Sequence, residues 1–157
     1  MSLETVRRHL NEVAPDLEIL ETEASSATVE LAAAAHGVAP AQIAKTLSIR
    51  LKDEVFLLVT RGDARLDNKK AKAAFGGKIK MLGLDEVEQI TSHPVGGVCP
   101  FGLPSPLKVY CDTSLKAFDV VIPAAGATNA AVRITPDRMA EITSATWVDV
   151  CLEPAPA

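Results

Sequence analysis

Lys45 is the residue whose position most clearly suggests chemistry. It lies between apolar Ile43-Ala44 and the apolar side chains of Leu47 and Ile49. Its aliphatic stem must therefore run along apolar surface while its ammonium reaches water, an anion or a carbonyl group. Exposed lysines are the norm in globular proteins, so the position alone favours a surface lysine. The alternative is a cation presented at the edge of a pocket, at the end of a helical turn that leads into a strand.

A loop over residues 93–106 could bind a ligand through its backbone. It contains three glycines and four prolines in fourteen residues. The prolines restrict its course, and the pair Gly96-Gly97 lets a ligand approach bare N–H groups that can orient a carbonyl or an oxyanion. A long loop that needs glycine only for its turns is the alternative. Composition does not decide between the two.

Several other kinds of site are not supported by the sequence. Cys99 lies six residues from His93, but no GxSxG elbow, Walker loop or dinucleotide fingerprint is present. The three cysteines and three histidines share no metal-ligand spacing. We therefore expect no metal and no cofactor. A lysine, a backbone-donor loop and a basic segment remain as candidates.

The basic segment runs from Arg61 to Lys80 and contains seven basic and two acidic residues, a local charge of +5 in a chain of net charge −4. A basic patch on an acidic body suits a local phosphate partner better than indiscriminate coating of RNA or DNA. A solvated helix face is the equally favoured alternative. The basic residues are Arg61, Arg65, Lys69, Lys70, Lys72, Lys78 and Lys80.

The elements that must position these residues indicate one α+β domain over 1–157, with a frayed tail at 152–157. No apolar run reaches the length of a membrane span and the N-terminus lacks a signal-peptide core, so we expect a cytoplasmic protein. Helices are predicted over about 2–13, 29–36, 68–75 and 85–90 and from Thr135-Pro136 onward, with helical turns at 40–44 and 114–116. Strands are predicted over about 17–21, 46–51, 54–60, 78–82, 107–111, 119–122, 130–134 and 147–150.

Four motifs in this order resemble the YbaK/prolyl-tRNA-synthetase-associated editing domain family, from roughly residue 25 to 147. They are Ala44-Lys45-Thr46-Leu47, Gly62-Asp63 before a lysine-rich helix, Gly96 to Gly102, and Gly126-Ala127-Thr128-Asn129. The resemblance implies a mixed, largely antiparallel curved sheet of about six to seven strands flanked by helices. It also implies a free-standing enzyme that hydrolyses the ester bond of mischarged aminoacyl-tRNA in trans, with the tRNA-Pro type and alanine, cysteine, serine or threonine as expected substrates. A tRNA- or synthetase-binding module without hydrolysis is the alternative.

The resemblance also implies roles for individual residues. Lys45 would hold the terminal phosphate or other charged groups of the substrate, and the backbone from Gly96 to Pro100 would orient the ester and the attacking water, without a side-chain nucleophile. An already activated ester allows such catalysis by positioning and oxyanion stabilisation. The sequence departs from the family in having Cys99 before Pro100, where many members carry serine or threonine, and in having no histidine near Gly126.

The expected partners are the acceptor end of mischarged tRNA and an aminoacyl-tRNA synthetase, with no DNA and no membrane, and the chain is expected to be a monomer or weak dimer. The candidate site residues fall into three groups. The catalytic candidates are Lys45, Gly96 and Gly97; the substrate-binding candidates are Thr22, Thr28, Val98, Cys99, Pro100, Phe101, Gly102, Gly126, Thr128 and Asn129; and the tRNA-binding candidates are Arg61, Arg65, Lys69, Lys70 and Lys72.

Overall fold

The computed structural model of the chain describes residues 2–152, so the predicted tail lies almost entirely outside the described residues. Five α-helices and eight strands are formed, with short 3₁₀ turns at Pro40–Gln42 and Thr113–Ala117. The helices are α1 (Ser2–Val13), α2 (Val29–His36), α3 (Asn68–Phe75), α4 (Leu84–Thr91) and α5 (Pro136–Thr143). The strands are β1 (Ile19–Glu21), β2 (Ile43–Leu51), β3 (Glu54–Arg61), β4 (Lys80–Met81), β5 (Lys108–Asp112), β6 (Ile122–Pro123), β7 (Ala130–Val132) and β8 (Thr146–Val148).

Polar side chains cap three of the helices at the positions that the sequence predicts. Thr28 accepts a hydrogen bond from the backbone N–H of the third residue of α2, and Asp67 and Thr135 cap α3 and α5 in the same way. Gly37 closes α2 in the left-handed conformation, at φ 68°. Within residues 2–152, no helix combines the length and apolar character that a membrane span requires.

The main sheet has six strands and mixed strand directions, which confirms the α+β class. Its order is β4-β2-β3-β5-β8, and β6 pairs with the start of β2. The β2–β3 hairpin and the β2–β4 pair are antiparallel, whereas β2–β6, β3–β5 and β5–β8 are parallel. The sheet is thus less antiparallel than expected. Strands β1 and β7 form a separate antiparallel pair.

Strand β3 lies at the centre of the main sheet and is covered on both faces, as its continuous apolar sequence predicts. Leu57 and Val59 pack in one cluster with residues of α1 and α5. Phe56 and Leu58, which alternate with them, pack in a second cluster with Ala71 of α3. The alternation of a strand therefore builds two cores, one on each face of the sheet.

The outer edge of β2 is interrupted, and this interruption positions the site. Strand β6 pairs with Ile43 and Ala44, and β4 pairs with Ile49 and Arg50. Lys45 therefore lies two residues inside β2, whereas the sequence suggested the end of a helical turn. Between β6 and β4, residues 45–48 have no strand beside them on this edge. We call this gap the notch.

Candidate functional site

A cavity of about 280 Å³ opens at the notch. Its walls come from the start of α2, from the notch itself, from the connection between β4 and α4, from residues 95–98 and from β6 and β7. Most of these side chains are apolar, and none of them is aromatic or acidic. A cavity of this size and lining suits a small, largely apolar group.

The backbone of β2 contributes polar groups to the cavity. The carbonyl oxygen of Ser48 accepts a hydrogen bond of 3.0 Å from the backbone N–H of Leu82, on the outer side of β2. Backbone groups of successive residues in an antiparallel pair point alternately toward and away from the partner strand. The N–H and C=O of Thr46, two residues before Ser48, therefore point into the notch.

Lys45 lines the cavity, and its ammonium is held by a turn of the backbone. Its Nζ donates a hydrogen bond of 2.7 Å to the carbonyl oxygen of Ala64. Burial lowers the pKa of Lys45 below its ordinary value, and nearby negative groups, Asp63 among them, partly oppose that shift. Asp63 is itself bound through both carboxylate oxygens by Arg61, at 2.5 and 2.9 Å. Lys45 is therefore a half-buried cation with a defined position.

The two glycines of the loop have different surroundings. Gly96 lines the cavity at φ 90°, and a Cβ there would lie 2.9 Å from the Cβ of Ala27. Gly97 does not line the cavity; a Cβ there would lie 2.8 Å from the backbone nitrogen of Ala127. Close backbone packing thus requires both glycines, and Gly96 in addition presents backbone to the cavity.

His93, Cys99 and Phe101 anchor the loop in the core and are fully buried. The Nε2 of His93 donates a hydrogen bond of 2.7 Å to the carbonyl oxygen of Phe101, and the Nδ1 contacts the Ser2 hydroxyl. The Sγ of Cys99 lies 3.5 Å from the same Nε2. Burial raises the pKa of Cys99 to about 12 and lowers the pKa of His93, so a thiolate–imidazolium pair is disfavoured at neutral pH. The contact between Cys99 and His93 can therefore anchor the loop, but it does not supply a nucleophile.

The other substrate-binding candidates lie at different distances from the cavity. Thr28 and Val98 line it. Asn129 donates a hydrogen bond of 3.1 Å from its amide to the carbonyl oxygen of Thr22, and the Thr128 carbonyl accepts bonds from Ser26. Thr22, Thr128 and Asn129 therefore brace the segment that leads to the cavity and do not line it.

Three further candidates lie on the α1 side of the loop. A Cβ on Gly102 or Gly126 would lie 2.8 Å from backbone atoms of α1, so both glycines permit close packing of that helix. Pro100 and Gly102 line a second, more open cavity together with residues of α1 and α5. The motif from Gly96 to Gly102 therefore has residues on both sides of the loop. Among the catalytic and substrate-binding candidates, Lys45, Thr28, Gly96 and Val98 are the ones that line the cavity at the notch.

Sequence reasoning missed the wall formed by Met81, Leu82, Leu84 and Val87. Leu84 and Val87 are three residues apart on α4 and therefore share one face of that helix, a signal that was available. It also missed Thr46, whose Oγ1 is buried without a hydrogen-bond partner among the described residues. Nothing in the sequence distinguishes this threonine from others in strands.

Of the five predicted tRNA-binding residues, two are engaged within the protein. Arg61 binds Asp63, and the Nζ of Lys70 lies 3.2 Å from Asp149 Oδ1 and donates a 3.0 Å hydrogen bond to the carbonyl oxygen of Cys151. The other three, Arg65, Lys69 and Lys72, are exposed.

Comparison with known proteins connects this site to a family. Residues 23–142 match the family described as the aminoacyl-tRNA editing domain. The chain belongs to this family. All walls of the cavity lie within the matched residues. The resemblance that the motifs indicated is therefore confirmed.

Relatives of this editing domain occur alone and within larger proteins. The chain is 48% identical over 153 residues to the uncharacterized protein YwhH of Bacillus subtilis, covering 96% of this chain and 98% of that protein. It is 30% identical over 91 residues to the proline–tRNA ligase of Bacillus licheniformis, which is 57% of this chain and only 16% of the ligase. A crystal structure described as a candidate trans-editing enzyme for prolyl-tRNA synthetase superposes with a TM-score of 0.89 at 31% identity, covering 97% of this chain and 98% of that one.

The editing domain holds no evident metal centre in the part that the structure describes. Among residues 2–152, no three histidine, cysteine, aspartate or glutamate side chains come together as metal ligands would. The polar groups that are available at the cavity are thus those of Lys45, the hydroxyls of its walls and the backbone.

Proposed function

We propose that this editing domain is a free-standing deacylase that hydrolyses the ester bond of mischarged aminoacyl-tRNA in trans. The observation that carries the proposal is that Lys45 and Gly96 line the same small cavity. The membership of the editing family and the likeness to a candidate trans-editing enzyme of similar length support it.

In the proposed mechanism, binding and positioning supply the acceleration. Lys45 anchors the charged part of the substrate, and the backbone near Gly96 orients the ester carbonyl and stabilises the oxyanion that develops when water attacks. Because the ester is already activated, these two contributions can replace a covalent nucleophile. The buried Cys99 has no role in bond breaking.

The size of the cavity would set the choice of amino acid. A volume of about 280 Å³ admits a small aminoacyl side chain. Excluding a side chain that is larger by one methylene is worth only about 1–3 kcal/mol, so steric selection among small amino acids is graded. We propose alanine, cysteine, serine or threonine on tRNA of the proline type as the substrates.

The experiment is a deacylation assay on alanyl-, cysteinyl-, seryl- and threonyl-tRNAPro with wild type and Lys45→Ala. We expect hydrolysis of at least one substrate by wild type and a loss of about a hundredfold or more in kcat/KM for the variant, the scale of removing one electrostatic contact to the transition state. Lys52→Asn, in the hairpin turn outside the cavity, is the control and should keep the wild-type rate. Equal rates for wild type and Lys45→Ala would reject the assignment of Lys45. Binding of tRNA without any hydrolysis would instead favour a recruitment module.

A further inference from the structure

Three large apolar side chains at the mouth of the cavity are exposed. Met81, Leu84 and Val95 have exposed fractions of 54%, 72% and 49%, and all three also line the cavity. We call these three residues the apolar rim. Only three other large apolar side chains among residues 2–152 are exposed, Val13, Leu31 and Leu152, and none of them lines this cavity.

The folding of the chain does not account for the apolar rim. Single exposed apolar residues are common, but a group of them at one cavity mouth indicates a contact surface. Met81 and Leu84 flank the pair Leu82-Gly83, at the turn from β4 into α4, while the buried residues Leu82 and Val87 supply the packing of this turn. The two exposed side chains therefore face away from the core.

Two exposed cations lie close to the apolar rim in the chain. Lys78 and Lys80 are exposed, and Lys80 immediately precedes Met81. Neither lysine forms an ion pair with another residue of the described range 2–152. The acids nearby are partly engaged, because Glu86 binds Arg50 and Asp85 turns its carboxylate toward Gly83, where a Cβ would lie 2.9 Å from Oδ1. An apolar surface and adjacent free cations together suit a ligand with a flat apolar face and a phosphate.

We propose that the apolar rim binds the unpaired nucleobase at the 3′ end of the aminoacylated RNA, and that Lys78 and Lys80 bind the phosphates on the 5′ side of this nucleotide. The proposal rests on the proposed function, because the ester would then enter the cavity directly beside this nucleotide. No aromatic side chain lines the cavity, so aliphatic groups and the Met81 thioether take the place of a stacking ring. The exposed basic residues Arg65, Lys69 and Lys72 would then bind phosphates further along the RNA.

The test compares a nucleotide with the same phosphosugar lacking the base. Adenosine 5′-monophosphate and ribose 5-phosphate are titrated into the full chain, and the dissociation constants are measured by NMR chemical-shift changes. We expect wild type to bind the nucleotide more tightly than ribose 5-phosphate. Leu84→Ser and Met81→Ser should each raise the nucleotide dissociation constant about three- to tenfold, because each removes part of the apolar surface that the base covers. They should leave the ribose 5-phosphate constant unchanged.

Two control variants separate the parts of the proposal. Leu31→Ser removes an apolar side chain that is 47% exposed but does not line the cavity, and it should leave both dissociation constants unchanged. Lys80→Gln should weaken both ligands by a similar factor, because both carry the phosphate. All four variants change exposed side chains, and a thermal melt checks that each is folded.

Three results would overturn the proposal. The first is equal binding of the nucleotide and ribose 5-phosphate to wild type. The second is unchanged nucleotide affinity in both Leu84→Ser and Met81→Ser. The third is sedimentation showing a wild-type dimer that Leu84→Ser dissociates, since a second copy would then cover the apolar rim. Failure of the proposed function looks different: wild type would bind the nucleotide as expected and yet release no amino acid from any tRNA.

Discussion

The ammonium of Lys45 and the carbonyl oxygen of Ala64 are joined by a hydrogen bond of 2.7 Å. Lys45 is on β2, and Ala64 lies in the turn that follows β3, so the turn fixes the lysine at the edge of the cavity. Gly62 lets this turn pack against the segment before β2, because a Cβ at position 62 would lie 2.2 Å from the carbonyl oxygen of Pro40. The Gly62-Asp63 motif is therefore explained as a support for Lys45.

Substituting Gly62 by alanine should disturb both the fold and the site. The new Cβ meets backbone that cannot move easily, so we expect the free energy of unfolding to fall by about 1–3 kcal/mol. Urea denaturation measures this change, and a deacylation assay at a temperature where the variant is folded measures the displacement of Lys45. Gly77→Ala is the matched control, because its Cβ would meet only the flexible end of Leu51. Equal stability of the two variants would contradict this account.

The position of Lys45 also predicts a pH dependence of stability. Burial lowers its pKa in the folded protein below 10.5, the value taken for the unfolded chain. Between these two pKa values the unfolded chain holds more protons, so the contribution of Lys45 to stability rises with pH in that window. Below the folded pKa both states are protonated, and the cost of burying the charge is constant.

The free energy of unfolding is measured for wild type and for Lys45→Met between about pH 7 and pH 10.5, the ordinary pKa of a lysine side chain. The value for Lys45→Met is subtracted from the value for wild type at each pH. We expect this difference to shift in favour of wild type as the pH rises toward 10.5. Taking the difference cancels the titration of the other groups. A difference that does not change with pH would show that Lys45 has the same pKa in both states.

Charge reversal should separate the lysines of α3 by function. Lys69 and Lys72 are exposed, so Lys69→Glu with Lys72→Glu should weaken tRNA binding and lower the slope of log affinity against log salt by up to about 0.9 for each phosphate that is no longer neutralised. Lys70→Glu should in addition destabilise the fold, because Lys70 binds Asp149 and the Cys151 carbonyl. Filter binding over a salt series and urea denaturation measure the two effects. The control is Lys108→Glu, which should keep the wild-type salt slope. If the double variant of Lys69 and Lys72 also keeps that slope, these two lysines do not bind tRNA phosphates.

Local patterns in the sequence predicted most helices and strands, and short motifs singled out several residues that line the cavity. Caps at Thr28, Asp67 and Thr135 are decided by nearby residues, so their helices begin where expected. Two short motifs singled out Lys45 and Gly96, and both residues line the cavity, while their catalytic roles stay predictions. The caps depend on contacts between residues that are close in the chain, and the two cavity residues were recognised from the motifs that contain them.

The remaining walls depend on pairings between distant residues. The notch exists because β6 and β4 pair with the two ends of β2 and leave its middle open, and neither two-residue strand has a periodicity of its own. Cys99 and Phe101 were predicted near the substrate but are buried in the core with His93. Nothing in the local sequence separates these two buried residues from Val98, which lines the cavity.

Thr46 shows how the cavity wall differs from the core. Its Oγ1 is buried without a partner among residues 2–152, and an unsatisfied buried hydroxyl costs about 1–3 kcal/mol. Valine has nearly the same shape and also favours strands. We therefore expect Thr46→Val to leave the free energy of unfolding unchanged or to raise it by about 1–2 kcal/mol, as measured by urea denaturation.

Thr91→Val is the matched comparison for this prediction. The Oγ1 of Thr91 is also buried, but it donates a 2.7 Å hydrogen bond to the Val87 carbonyl and accepts one of 3.1 Å from the His93 backbone N–H. Its removal leaves that N–H unsatisfied and should lower the free energy of unfolding by about 1–3 kcal/mol. Equal losses in the two variants would mean that Thr46 is hydrogen-bonded in solution. A stabilised Thr46→Val with reduced kcat/KM would instead show that the hydroxyl serves the substrate at the expense of the fold, because an apolar wall would be better for folding alone.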